Sequence, residues 1–212
     1  MTGRTEKILK KLYYSLKRFD KSALRISPNN QKFCFIHINK TAGTSIAKFL
    51  NYPYIMHNTV QELCNQYGDE EIRNAFLFTF VRNPYDRVRS QFKHYVLTNQ
   101  FDLSDGAIGF NEWVIETYGS KINPFYNHGD KYFSTQMSWL SDKNGSNPID
   151  YIGKFENLNN DFRSVCQHLG YTGNLKRSNH SDTVNIEGFS AQSKEIIYNY
   201  FEEDFINLDY KK

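Results

Sequence analysis

Two stretches of the chain share one pattern, in which an apolar run of strand length leads into a polar turn and then into a helix-like segment. The first run covers residues 33–38 and is followed by the turn 40–45. The second covers residues 75–81 and stops at Arg82-Asn83-Pro84, after which apolar residues recur at helical spacing to about residue 97. This alternation of strand and helix predicts an α/β fold with a central parallel sheet flanked by helices.

The other elements follow from the same two periodicities. A short apolar run at 54–56 ends at His57, and Thr59 begins a helix in which Glu62 occupies the capping-box position. His57 is therefore predicted to lie at the end of a strand. Further along, the pattern predicts helices over 110–118, 158–169 and 190–205, a strand over 151–155, and loops over 123–130, 141–148 and 176–182.

The length of 212 residues fits one domain with an appendage, which we place at residues 32–212 and 1–31. Within the appendage, residues 6–19 carry apolar side chains at helical spacing among lysines and arginines, so a basic amphipathic helix is predicted. Its apolar face either docks on the domain or contacts a membrane surface or an acidic glycan. The sequence leaves these alternatives open.

Charge and composition narrow the class of protein. The formal net charge is +3, but residues 1–32 hold nine Lys and Arg against two acidic residues, so the basicity belongs to the arm and no nucleic-acid partner is predicted. A mean hydropathy of −0.66 without a long apolar run argues against a spanning helix, and no signal peptide is evident. Three scattered cysteines indicate reduced core thiols, hence a reducing compartment; we expect a cytoplasmic protein, with membrane association through the arm as the alternative.

The turn at 40–45 has the composition of an anion-binding loop. Lys40 offers a charge, Gly43 allows close backbone approach, and the hydroxyls belong to Thr41, Thr44 and Ser45. The GxxxxGKS/T signature of P-loop nucleotidases is absent, because here the lysine precedes the glycine. Since the turn at Arg82 would meet the same sheet edge, the two turns indicate one ligand with two separated anionic groups. Alternatively, Arg82-Asn83-Pro84 only begins a helix.

At these residues the chain resembles a known family. The segment FIHINKTAGTS resembles the 5′-phosphosulfate loop of sulfotransferases that use 3′-phosphoadenosine 5′-phosphosulfate (PAPS), and FTFVRNPYDRVRSQF resembles their 3′-phosphate motif. The likeness extends over residues 32–210 and includes the segments MHNTVQEL, YIGKFENLNNDF and EEDFINLDY. It is greatest to the carbohydrate-type family that includes heparan sulfate 2-O-sulfotransferase and bacterial members. The resemblance implies a P-loop-like nucleotide-binding fold, PAPS as cofactor with the product 3′-phosphoadenosine 5′-phosphate (PAP), and transfer to a hydroxyl of a glycan or glycosylated small molecule.

The resemblance also implies roles for single residues. Arg82 and Ser90 would hold the 3′-phosphate, and His57 is the candidate base for the acceptor hydroxyl. Asn39 stands where the family usually has proline, so the stiffness that proline would give the loop is not predicted for this chain. The residues that would wrap the 5′-phosphosulfate are Lys40, Thr41, Ala42, Gly43, Thr44 and Ser45, of which Lys40 would also neutralise or protonate the leaving oxygen. No metal is required by this chemistry.

Some alternatives remain at this point. A catalytically inactive nucleotide-binding or scaffold protein would keep both loops, and a P-loop kinase would need the missing signature. Among the other histidines, His37 is predicted to be packed within the first strand, whereas His128 either lines an acceptor cleft or lies in a solvated loop. Glu156 is interpreted as a structural residue, with contact to nucleotide or acceptor as the alternative.

Overall fold

The computed structural model describes residues 22–52, 57–106, 108–175 and 184–212. The predicted basic helix at 6–19, the strand at 54–56 and the loop at 176–182 lie outside the described residues. Within the described ranges, residues 22–31 of the predicted arm pack on the domain. Ala23 is buried, and its backbone N–H donates a hydrogen bond of 2.9 Å to the Tyr67 hydroxyl.

A four-stranded sheet organises the molecule. Its strands lie in the order β1 (Arg25–Ile26), β2 (Lys32–Ile36), β3 (Phe76–Val81) and β4 (Tyr151–Lys154). The last three are parallel, as predicted, with helices on the faces. The sheet is nevertheless mixed, because β1 pairs antiparallel with β2 at the edge. A two-residue strand is too short to leave an alternating pattern in the sequence.

The central strands are buried on both faces, which explains their continuous apolar runs. Residues 33–36 of β2 are at most 2% exposed, and Phe35 lies opposite Phe78 of β3 with the two rings stacked 5.0 Å apart. On the other side of β3, Gly153 of β4 lies opposite Phe80. A Cβ at Gly153 would lie 2.5 Å from that ring, so only glycine lets the two strands pair here.

The helices follow most of the predicted segments. The capping box at Thr59 and Glu62 is present. The predicted terminal helix divides at Phe201, whose φ of −110° is not helical and whose ring is buried against Tyr118. The helices are α1 (Gly43–Phe49), α2 (Val60–Tyr67), α3 (Asp69–Arg73), α4 (Pro84–Leu97), α5 (Phe110–Tyr118), α6 (Gln136–Leu140), α7 (Leu158–Leu169), α8 (Ala191–Tyr200) and α9 (Glu202–Asn207), with 3₁₀ turns at Gln100–Asp105, Lys131–Phe133 and Phe155–Asn157.

Two apolar clusters support this arrangement. One surrounds the sheet and includes the three cysteines, all free thiols within the core as predicted. The other is largely aromatic and joins α4 to α5, α8 and α9. Across the described ranges, every helix is too short or too polar to cross a lipid bilayer.

Candidate functional site

The two basic turns lie side by side at the carboxyl edge of the sheet. Lys40 follows β2, Arg82 follows the neighbouring parallel strand β3, and the Arg82 Nη1 group donates to the Lys40 carbonyl at 3.3 Å. Burial, and to a smaller extent the charge of Arg82, lower the pKa of the Lys40 amino group from 10.5 to about 8. Lys40 therefore keeps its charge at the cost of lost solvation and of repulsion from Arg82, and an anion bound there would offset both.

The loop after β2 holds an unusual backbone conformation. Lys40 and Ala42 have φ values of 67° and 69°, in the left-handed region that residues with a Cβ seldom adopt. Ala42 is the N-cap of α1, and no side chain of the described residues caps this helix. The Ser45 N–H donates to the Ala42 carbonyl at 2.9 Å. Left-handed residues cost free energy, and the surrounding contacts must hold them in place.

The hydroxyl of Thr41 has a different environment from the one predicted. Thr41 is fully buried, and its Oγ1 donates to the Ile38 carbonyl at 2.9 Å, which closes the turn. Any contact of Thr41 with an anion would therefore be through its backbone. Thr44 and Ser45 are half-buried at the start of α1.

Gly43 is required by the side chain that packs against it. A Cβ on Gly43 would lie 1.8 Å from Cδ2 and 2.0 Å from Nε2 of His37. His37 is 3% exposed, so its ring has little room to withdraw. As predicted, His37 is packed, and the structure adds that its ring packs directly against Gly43 in the turn that follows Lys40.

His57 is held in one orientation and one tautomer. Its Nδ1 lies 2.8 Å from the His37 carbonyl, which can only accept, so Nδ1 carries the proton and Nε2 keeps a lone pair. Its ring lies 4.1 Å from the His37 ring and meets Tyr132 edge-on at 5.5 Å. Burial lowers the pKa of His57, the His37 hydrogen bond opposes this, and Lys131 lowers it again. A neutral imidazole with a free Nε2 is the form that a general base requires.

An aromatic ring supports the guanidinium of Arg82, and a carboxylate supports the turn that carries it. Its guanidinium carbon lies 4.0 Å from the centre of the Phe155 ring, whereas its buried Nε has no hydrogen-bond partner among the described residues. Glu156 accepts the Asn83 N–H at 2.8 Å and the Tyr210 hydroxyl at 3.0 Å. Glu156 thus has the structural contacts that the sequence interpretation assigned to it, and it fixes the turn that carries Arg82.

Gln136 and Asp204 also act on Arg82, and sequence patterns did not identify them. The Gln136 side chain bonds both backbone groups of Arg82, accepting the N–H at 2.9 Å and donating to the carbonyl at 2.8 Å. Asp204 accepts the N–H of Gln136 at 2.8 Å and that of Met137 at 2.9 Å, at the start of α6. The backbone at Arg82 is therefore fixed by residues from two distant helices.

Helix α4 brings Ser90 and His94 into the same region. Ser90 is half-buried two turns from the start of the helix, and no hydrogen bond in the described part of the chain joins it to Arg82. Burial and then the Lys40 charge lower the pKa of His94, so this face of α4 lies near the loop. Pairing of Arg82 with Ser90 around one phosphate remains a prediction from the resemblance.

His128 takes a surface position. Its Nε2 lies 2.9 Å from an Asp130 carboxylate oxygen, and 54% of its side chain is exposed. The ring also lies 5.7 Å from that of Phe133. These contacts agree with a solvated loop. Within the described ranges, no group of His, Cys, Asp and Glu has the arrangement of a metal site.

Comparison with known proteins gives one match. A family model described as the sulfotransferase family matches residues 22–211. No curated protein and no solved structure matches the chain significantly. The matched region contains both basic turns, His57 and the helices that support them.

Proposed function

Because this chain belongs to the sulfotransferase family, we propose that it transfers the sulfuryl group of PAPS to a hydroxyl of a glycan or glycosylated small molecule. The observation that carries the proposal is the hydrogen bond from Arg82 to the Lys40 carbonyl, at 3.3 Å, which joins the two basic turns. PAPS carries a 5′-phosphosulfate and a 3′-phosphate on one ribose, so two adjoining cationic turns suit it. The carbohydrate-type motifs of the sequence support a glycan acceptor.

The residues present fit such a donor. Lys40 is a half-buried cation whose pKa is lowered by burial and by Arg82, so a bound anion would stabilise its charge. The Nε of Arg82, which has no hydrogen-bond partner among the described residues, offers a further donor. PAPS, when bound, supplies the sulfuryl group and a phosphate leaving group.

The chain's own residues then have separate tasks. His57 Nε2 takes the proton of the acceptor hydroxyl as the new O–S bond forms, while His37 holds the ring through Nδ1. On the opposite side of the sulfur, the S–O bond to the phosphate breaks in line. Lys40 stabilises the charge that develops on that bridging oxygen. Lys40 and His57 are therefore the proposed catalytic residues.

A thermal-shift titration tests the donor assignment. At about 100 times its dissociation constant, PAP should stabilise the wild type by about 2.7 kcal/mol. Adenosine 5′-monophosphate at the same concentration should stabilise it much less. Arg82→Ala should remove most of this difference, because the planar guanidinium is the predicted partner of the 3′-phosphate. Arg73→Ala, an exposed arginine of α3, is the matched control and should keep the difference. Equal stabilisation of the wild type by both nucleotides would refute the 3′-phosphate assignment.

Turnover is measured separately. Labelled PAPS with a panel of hydroxylated glycans and metabolites, read by mass spectrometry, should give a sulfated product from at least one acceptor. Strong PAP binding with no product from any acceptor would favour the inactive nucleotide-binding protein instead.

A further inference from the structure

Arg87 is a charged residue in the core of this protein. It belongs to α4 and is 2% exposed, although an arginine is seldom buried unless all its donors are satisfied. Burial lowers its pKa, and the nearby charge of Asp204 opposes that effect. Asp204 is itself fully buried. The fold therefore keeps a buried guanidinium at a considerable desolvation cost, which suggests a task beyond packing.

The hydrogen bonds of Arg87 converge on two segments of the candidate site. Its Nη2 donates to the Asn39 side-chain oxygen at 2.8 Å and to the Tyr132 carbonyl at 3.3 Å, while Nη1 donates to the Ser134 carbonyl at 2.9 Å. Asn39 closes the arrangement by donating its amide to the same Tyr132 carbonyl, at 3.2 Å. One guanidinium thus joins the residue before Lys40 to the segment 132–134.

One of these segments adjoins Lys40, and the other contacts His57, the two proposed catalytic residues. Asn39 is bonded directly to Lys40 along the chain, and Lys40 has the left-handed backbone described above. Tyr132 packs edge-on against the ring of His57 at 5.5 Å. A shift of Arg87 would therefore displace both the cation and the base.

We propose that Arg87 and Asn39 form a positioning pair that sets the distance between Lys40 and His57. The proposal rests on the sulfuryl transfer proposed above. The proposal also explains why residue 39 is asparagine, whereas the family that this sequence resembles usually has proline at that position. Proline stiffens a loop through its backbone, whereas Asn39 is held here through its side chain by Arg87 and the Tyr132 carbonyl.

A matched pair of asparagine variants separates positioning from stability. Asn39→Ala removes both side-chain bonds of a residue that is 8% exposed. Asn127→Ala is the control, because Asn127 is 5% exposed and its side chain also makes two hydrogen bonds, to the Thr117 carbonyl at 2.9 Å and from the Gly129 N–H at 3.0 Å. We expect similar losses of Tm from both variants.

Only Asn39→Ala should lose catalysis. Since a misplacement of about 1 Å can cost on the order of 10²-fold in rate, we expect kcat to fall about 10²-fold, with little change in the acceptor KM. PAP affinity should fall by roughly 3-fold or more, because the loop that would contact the 5′-phosphate has moved. Asn127→Ala should keep wild-type kcat and PAP affinity.

Two further measurements complete the test. Arg87→Lys keeps the charge without the planar fork, and combining it with Asn39→Ala should lower kcat no further than Arg87→Lys alone, as for residues that act as one unit. Equal kcat and PAP affinity for the two asparagine variants would overturn the positioning pair while leaving sulfuryl transfer intact. If the wild type gives no product at all, the proposed function fails, and PAP affinity alone decides whether the pair holds the loop.

Discussion

Replacing Lys40 by methionine should make the folded protein more stable while it removes most of the proposed transfer activity. The amino group of Lys40 is charged in a partly buried place beside Arg82, and its pKa falls from 10.5 to about 8 through burial first and the Arg82 charge second. Methionine has a similar length and no charge. It also keeps a Cβ, so the left-handed backbone at this position is equally strained in both proteins.

The size of the effect follows from the displaced pKa. A fall from 10.5 to about 8 corresponds to an unfavourable free energy of roughly 3 kcal/mol for keeping the charge in the folded protein, which is an upper limit for the gain. In a chain of this length each kcal/mol raises Tm by about 2 to 4 °C. We therefore expect Lys40→Met to melt several degrees above the wild type at pH 7.

The cost of keeping Lys40 charged in the folded protein depends on pH, and this dependence shows the sign of its effect on stability. Below pH 8 Lys40 is protonated in both the folded and the unfolded chain, so the wild type bears the full cost. Between about 8 and 10.5 the folded chain loses the proton that the unfolded chain retains, so the cost diminishes as pH rises. The difference in Tm between variant and wild type should therefore shrink across this interval.

Calorimetry at pH values from 7 to 10 measures the difference directly. Lys48→Met, on the exposed face of α1, is the control and should show no such gain. Transfer by Lys40→Met should fall by about 10²- to 10³-fold, the usual loss of one preorganised charge on a developing oxyanion. A variant less stable than the wild type at pH 7, or a difference that does not depend on pH, would refute this account of Lys40.

Other variants probe the base and the loop. His57→Ala should lower turnover by about 10²- to 10⁴-fold in single-turnover assays while PAP binding changes little, because the imidazole contacts only the acceptor; full activity would assign the proton to another residue. The profile of kcat/KM from pH 5 to 9.5 should be bell-shaped. It should rise as His57, whose pKa lies below 6.5, loses its proton, and it should fall near pH 8 as Lys40 loses its proton. A flat profile above pH 7 would exclude Lys40 as the group whose charge is needed for transfer. Gly43→Ala should cost about 1 to 3 kcal/mol in urea unfolding because of the His37 ring, and an unchanged midpoint would contradict that contact.

Local patterns predicted the parts of the site that are contiguous in sequence. The strand, turn and helix units at Lys40 and Arg82 were predicted in the right order, since buried parallel strands and helix starts leave their marks within a dozen residues. The closeness of the two turns followed from the topology rule for parallel sheets. The division at Phe201 was missed, because one buried ring interrupts an otherwise helical pattern.

The contacts that support the two basic turns could not be predicted from local sequence patterns. Gln136 lies 54 residues from Arg82 and 68 from Asp204, and nothing in their local sequence marks them as partners. Arg87 stands in a motif rich in charge, where arginines are usually solvated, and its burial depends on how α4 packs on other segments. Long-range hydrogen bonds of this kind belong to the tertiary structure alone.

The contacts of Asp204 and Tyr210 have a consequence for synthesis of the protein. Asp204 holds the start of α6 and, through Gln136, the backbone of Arg82, while Tyr210 holds Glu156 beside the same turn. A ribosome has therefore to extend the chain beyond residue 210 before these bonds form. Nascent chains that end earlier present both basic turns without these supports, so we expect the proposed nucleotide binding only after residues 204 and 210 have been added.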